Sequence, residues 1–120
     1  MLDYKYEHSQ YYRWTQKVCR YAHLEYGAEV ELLAEDNAFI YHYGNKKIEV
    51  SGSTPPRDKL YILLHEVGHV SRMMENDGDS TFFMNRSGKK NIRERTMVLM
   101  EEVLAWHKAE EIAARLEIPI

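Results

Sequence analysis

The chain has 120 residues, 44% of them hydrophobic, with 16 basic and 19 acidic side chains and a formal net charge of −3. That length supports one small domain over residues 1–120, built around a single core, and is too short for two. So small a net charge gives no field for wholesale binding to nucleic acid or a membrane. Cys19 is the only cysteine, so no intramolecular disulfide forms and a reducing compartment is expected.

No window approaches the ~20 consecutive apolar residues of a membrane span. The N-terminal MLDYKYEHSQ lacks the basic-then-apolar order of a secretion signal. The expectation is a soluble cytoplasmic protein. In chain order, residues 8–26 carry apolar side chains at helical spacing, including Tyr11, Trp14, Val18, Tyr21 and Ala22. Ser9 suits the N-cap and Gly27 the C-terminal stop. Cys19 falls within this amphipathic stretch and reads as a packed thiol.

Three strand-like runs follow, at 28–34, 37–44 and 46–52, separated by the turn pairs Asp36-Asn37 and Gly44-Asn45. They predict a three-stranded antiparallel meander. Its last strand reads as an edge protected by Lys46 and Lys47. Residues 53–76 predict a helix capped by Thr54, with Pro55 in its first position. Its broad apolar face runs from Leu60 to Met74. Residues 77–91 lack periodicity and predict a long loop, unusual in holding Phe82, Phe83 and Met84. A final helix over 92–117 is closed by Pro119.

The middle of the 53–76 helix reads LLHEVGHVS. His65 and His69 are four apart, so both imidazoles face one point, as two bonds to one metal ion require. Glu66 lies about 100° further round. From there its carboxylate reaches a water at the metal, the general-base position of an H-E-x-x-H motif. Gly68 costs the helix ~1 kcal/mol relative to alanine, which calls for a close neighbour.

A catalytic zinc site takes a third protein ligand. The candidates are His8, His23, His42, His107 and the acidic residues, foremost Glu101 and Glu102. The series Val98, Glu102, Ala105, Ala109, Ile112, Leu116 is apolar apart from Glu102. The series Met97, Glu101, Leu104, Lys108, Glu111, Arg115 is mostly polar. The contrast turns Glu102 inward as the expected third ligand, since a lone carboxylate in an apolar stripe needs a partner. Glu101 is the alternative, or an acceptor for the second N–H of a ligand histidine.

HEVGH followed by a helical EEVLAW resembles the gluzincin class of zinc metallopeptidases. The small size resembles the compact ImmA/IrrE-like domains of bacteria and phages. The resemblance implies an α+β, zincin-like fold: an N-terminal helix, a three-stranded antiparallel sheet, the HExxH helix and a long C-terminal helix. It implies Zn2+ held by His65, His69 and Glu102, with Glu66 as base. It also implies a protein or peptide substrate in the bacterial or infected-host cytoplasm. By the same likeness, residues 46–50 would pair with an extended substrate and 77–91 would cover the cleft. Tyr41, Tyr43, His42, His107 and Arg72 are candidates by type to stabilise an oxyanion. The ligand types also suit manganese, iron or cobalt.

Two other readings stand beside this one. A non-catalytic, metal-stabilised domain that binds a partner has no use for Glu66. A DNA-associated, SprT-like protein would rest on the basic cluster RSGKKNIRER at 86–95, which reads first as a solvated turn and helix start, so nucleic acid is the less expected partner.

Overall fold

The computed structural model describes residues 4–33, 40–42, 47–51, 54–75 and 92–120. Three helices dominate: α1 (Tyr4–Tyr26), α2 (Pro56–Glu75) and α3 (Ile92–Arg115). The strands β1 (Glu29–Leu33), β2 (Ile40–His42) and β3 (Lys47–Ser51) are short. Among the described residues no helix is long and apolar enough to cross a membrane.

Helix α1 buries Val18 and Ala22 completely, with Tyr11, Trp14 and Tyr21 packed around them. It starts at Tyr4, so Ser9 lies inside the helix rather than at its N-cap position. Serine costs a helix interior only a few tenths of a kcal/mol, about 0.5, too little to stop the preceding turn. Gly27 does end it, at φ 69°, and its N–H bonds to the His23 carbonyl at 2.9 Å. Cys19 is half-buried, and burial pushes its thiol up, as a packed cysteine requires.

The sheet differs from the expected meander. Its order is β1-β3-β2, with β1 parallel to β3 (Glu29 opposite Lys47, Leu33 opposite Ser51) and β2 antiparallel to β3. This mixed sheet, in an α-rich molecule, overturns the zincin-like α+β fold with a three-stranded antiparallel sheet. It also places β3 in the centre. Strand addition of a substrate at 46–50 is thereby excluded, because β3 already has a neighbour on each side.

The reason lies in the side chains. Ile48 and Val50 are fully buried, so β3 has the most to gain from a central place. Lys47, one of the two charges read as edge protection, instead pairs across strands, and Lys46 lies outside the described residues. Lys47 Nζ lies 2.5 Å from Glu31 Oε2 of β1 and 3.8 Å from Glu49 Oε1, which offsets the facing of Glu31 and Glu49. The turn pairs at 36–37 and 44–45 lie outside the described residues, as does the 77–91 segment.

Helix α2 is the central element and packs against α1, α3 and β3. Its first bond runs from Lys59 N–H to the Pro55 carbonyl at 2.9 Å. Pro56, one residue later than expected, therefore takes the first helical position, where a missing N–H is harmless. Leu60, Leu63, Leu64, Val67 and Val70 are fully buried along its length.

Helix α3 ends at Arg115 in a Schellman motif. Ile118 N–H reaches the Ala113 carbonyl at 2.8 Å and Glu117 N–H the Ala114 carbonyl at 3.1 Å, with Glu117 at φ 60°. The turn tucks Ile118 into the core.

The two long helices meet at Gly68. A Cβ there would fall on the Ala105 carbonyl oxygen of α3, 3.1 Å from its carbonyl carbon and 3.4 Å from the Ala109 nitrogen. Ala105 and Ala109 are fully buried. Three small residues thus let backbone meet backbone, the neighbour that the mid-helix glycine called for.

Candidate metal centre

His65 and His69 stand one turn apart on α2, their ring centroids 4.6 Å from each other. Glu102 of α3 reaches both. His65 Nε2 lies 2.8 Å from Glu102 Oε2, and His69 Nε2 lies 3.2 Å from Glu102 Oε1. One ligand atom from each residue falls within 4.8 Å of the other two. His69 is fully buried, whereas the His65 side chain is 14% and that of Glu102 33% exposed. Glu66 sits at the same opening, its Oε1 3.8 Å from His65 Nδ1.

Glu101 does not take the solvated place that the polar series of α3 assigned it. It is 2% exposed. Ala105 and Ala109, grouped in sequence with Glu102, continue the line of Glu101, and these three are buried beneath α2. Arg72 of α2 holds Glu101 through two bonds from Nε, 2.8 Å to Oε2 and 3.0 Å to Oε1. On its other side, Glu101 Oε1 lies 3.3 Å from His69 Nδ1. A guanidinium, a carboxylate and an imidazole thus stand in line behind the cluster.

That line bears on the tautomer of His69. Donation of Nδ1–H to Glu101 would leave the Nε2 lone pair facing Glu102. Two groups so close are joined by a shared proton or by a bound cation. A cation with bonds of roughly 2.0–2.1 Å in tetrahedral geometry separates its ligand atoms by roughly 3.3–3.4 Å. The two nitrogen–oxygen separations, 2.8 and 3.2 Å, run to different oxygens of Glu102, and a set of one ligand atom per residue lies within 4.8 Å. Two imidazoles, a carboxylate and partial exposure fit a divalent cation with one side open.

His65 is oriented by different means. The indole of Trp106, one turn on from Glu102, stacks on it with centroids 4.5 Å apart and planes 11° from parallel. Trp106 also forms one wall of an apolar cleft with Tyr61, Leu64 and Ile118.

Of the other sequence candidates, His23 and His107 are exposed and outside the cluster. The side chains of His8, Tyr41 and His42 lie outside the described residues, and so does Tyr43. Arg72, a candidate to stabilise an oxyanion, is engaged with Glu101 instead. Two residues escaped the sequence reading: Arg72 as the partner of Glu101, and Trp106 as the plate on His65. Their spacing carried a signal, since Arg72 is three residues from His69 and Trp106 four from Glu102.

Ser71 anchors the other flank of α2. The Tyr26 hydroxyl donates to Ser71 Oγ at 2.9 Å. Burial pushes its phenol up from 10.0 to about 12. The folded chain therefore keeps a proton that the unfolded chain releases from pH 10 upward, and stability falls as pH rises from 10 toward 12. Tyr26→Phe loses the hydrogen bond, ~1 kcal/mol at neutral pH, but escapes the alkaline loss. Urea midpoints are expected to show wild type ahead at pH 8 and the gap narrowing above pH 10. A gap constant with pH would remove this role for Tyr26.

Comparison of the chain with known protein families, with curated proteins and with solved structures finds no match. The functional reading rests on the cluster itself.

Proposed function

We propose that the protein is a zinc-dependent peptide hydrolase with its active centre at the crossing of α2 and α3. The observation that carries this is the meeting of His65 Nε2 and His69 Nε2 on the two oxygens of Glu102, with Glu66 at the same opening. His65, His69 and Glu102 would hold the ion. When bound, Zn2+ supplies Lewis acidity toward a carbonyl oxygen and lowers the pKa of water beside it.

The remaining work falls to the chain's own groups. Glu66 takes a proton from the attacking water and delivers it to the leaving amine. Arg72 and Glu101 hold His69 in one tautomer, and Trp106 holds the ring plane of His65. The cleft of Tyr61, Leu64 and Trp106 offers apolar surface to a substrate side chain beside the scissile bond. This is the chemistry of the gluzincin class, here on an α-rich frame.

A purely structural metal site would have no need of a carboxylate at the Glu66 position. The DNA-associated reading turns on residues 86–95, of which 86–91 lie outside the described residues.

The test uses a quenched-fluorescent peptide library and the zinc-loaded chain. Hydrolysis is expected in wild type, to stop with chelator and to return with zinc. Glu66→Gln is expected to keep its metal and lose about 100-fold or more in rate. Full hydrolysis by Glu66→Gln would remove Glu66 as the base. Absence of hydrolysis by metal-loaded wild type across the library would favour the partner-binding reading.

A further inference from the structure

A second cleft, of about 800 Å3, shares no lining residue with the metal cluster. Three consecutive residues of β1, namely Glu29, Val30 and Glu31, line it. Successive side chains of a strand point to opposite faces. Glu29 and Glu31 share one face with Lys47 of β3, which also lines the cleft, while Val30 is on the other face, so the cleft wraps round the outer edge of β1. Strand β1 ends the sheet order and pairs with β3 alone among the described residues. Its outer edge therefore presents backbone N–H and C=O groups to this cleft.

The facing wall is basic. Arg13, Lys17 and Arg20 of α1 line it at i, i+4 and i+7. Lys17 Nζ is occupied with the Leu116 carbonyl at 3.1 Å, and Lys47 is neutralised by Glu31 and Glu49. Arg13 and Arg20 are exposed and make no ion pair among the described residues. They stand seven residues apart, about 10 Å along the helix, within side-chain reach of carboxylates about 7 Å apart on alternate residues of an extended chain.

A free strand edge facing two unengaged guanidiniums suits one kind of occupant. We propose that this cleft binds an extended acidic peptide as an added strand on β1. Its backbone would bond to the β1 edge and its alternate carboxylates would face Arg13 and Arg20. A nucleic acid would set its phosphates against Glu29 and Glu31 on a chain of net charge −3. A peptide instead meets those residues with its backbone.

The probe is a capped, fluorescein-labelled octapeptide of alternating glutamate and valine, followed by anisotropy. Saturable binding is expected, falling with salt and weakened about tenfold or more in Arg13→Glu/Arg20→Glu. Two isomers of the peptide, N-methylated at odd or at even residues, separate strand addition from simple charge attraction. One should lose binding and the other keep it, because only one edge of an added strand faces β1. Amide exchange at residues 29–31 should slow in the complex.

No anisotropy change by about 1 mM protein, equal binding by the charge-reversed variant, or identical behaviour of the two isomers would each overturn the proposal. Tighter binding of an octathymidylate at the same cleft would do so too. Should the double variant fail to fold, the isomer pair on wild type still decides.

Discussion

Glu102→Ala is expected to purify without stoichiometric metal. Removing one of the three proposed ligands, when the other two are imidazoles, would leave a site of far lower affinity, by about 100-fold or more. Loss of a mere supporting partner typically costs only 10–100-fold. Elemental analysis after dialysis against a weak chelator reads this directly. Glu101→Ala belongs beside it. That change leaves the imidazole of His69 unsupported and Arg72 facing a buried gap. Partial metal loss with marked destabilisation is expected, because breaking a buried ion pair from one side costs ~3–5 kcal/mol. The two neighbours should thus separate: Glu102→Ala chiefly in metal content, Glu101→Ala chiefly in stability. Retention of one metal per chain in Glu102→Ala would sink the ligand assignment.

The second large effect is expected at Gly68. Alanine is the better helix former by ~1 kcal/mol, so on α2 alone Gly68→Ala would stabilise. The added methyl instead meets the Ala105 carbonyl, which is backbone and cannot swing aside. The helices must separate. Overpacking of this kind costs ~1–3 kcal/mol or more, and a backbone obstacle belongs at the upper end. Because Glu102 rides on α3 and the histidines on α2, the same separation pulls the ligands apart. A drop in melting temperature together with at least tenfold weaker metal binding is expected, the latter measured by competition with a chromophoric chelator. A stable variant with unchanged metal affinity would show that the crossing does not set the site.

These two experiments bear on what could be read from the sequence. The pair His65 and His69 was legible because four residues on a helix bring side chains to one face whatever the fold around them. Gly68 was legible as a demand for a close neighbour, but that Ala105 and Ala109 are the neighbour follows only from the helix crossing. The roles of Glu101 and Glu102 were harder. Grading whole series along α3 assumes a helix buried along its length. Here α3 crosses α2 at a point, so the buried row is set locally by the residues facing Gly68. Glu101 lies on that row, four before Ala105, and Glu102 is one residue round toward the histidines. The row of Glu101, Ala105 and Ala109 was the better guide. The sheet was misread for a different reason. Each strand was recognisable from its alternation, but pairing is non-local. The insertion of β3 between β1 and β2 depends on how deeply Ile48 and Val50 are buried, which neighbouring residues do not encode.

The line of Arg72, Glu101 and His69 also bears on the valence of the cation proposed for the crossing. Glu66, Glu101 and Glu102 bring three carboxylates to it, and Arg72 brings one guanidinium. At neutral pH that is an excess of two negative charges beside a fully buried imidazole. A divalent cation matches the excess, whereas a monovalent one leaves half of it standing in apolar surroundings. The same count would bear on the proposed reaction. Were Glu66 to accept a proton there, a crossing filled by a divalent cation would carry one unit of positive charge, matching the one unit of negative charge that a carbonyl oxygen would gain.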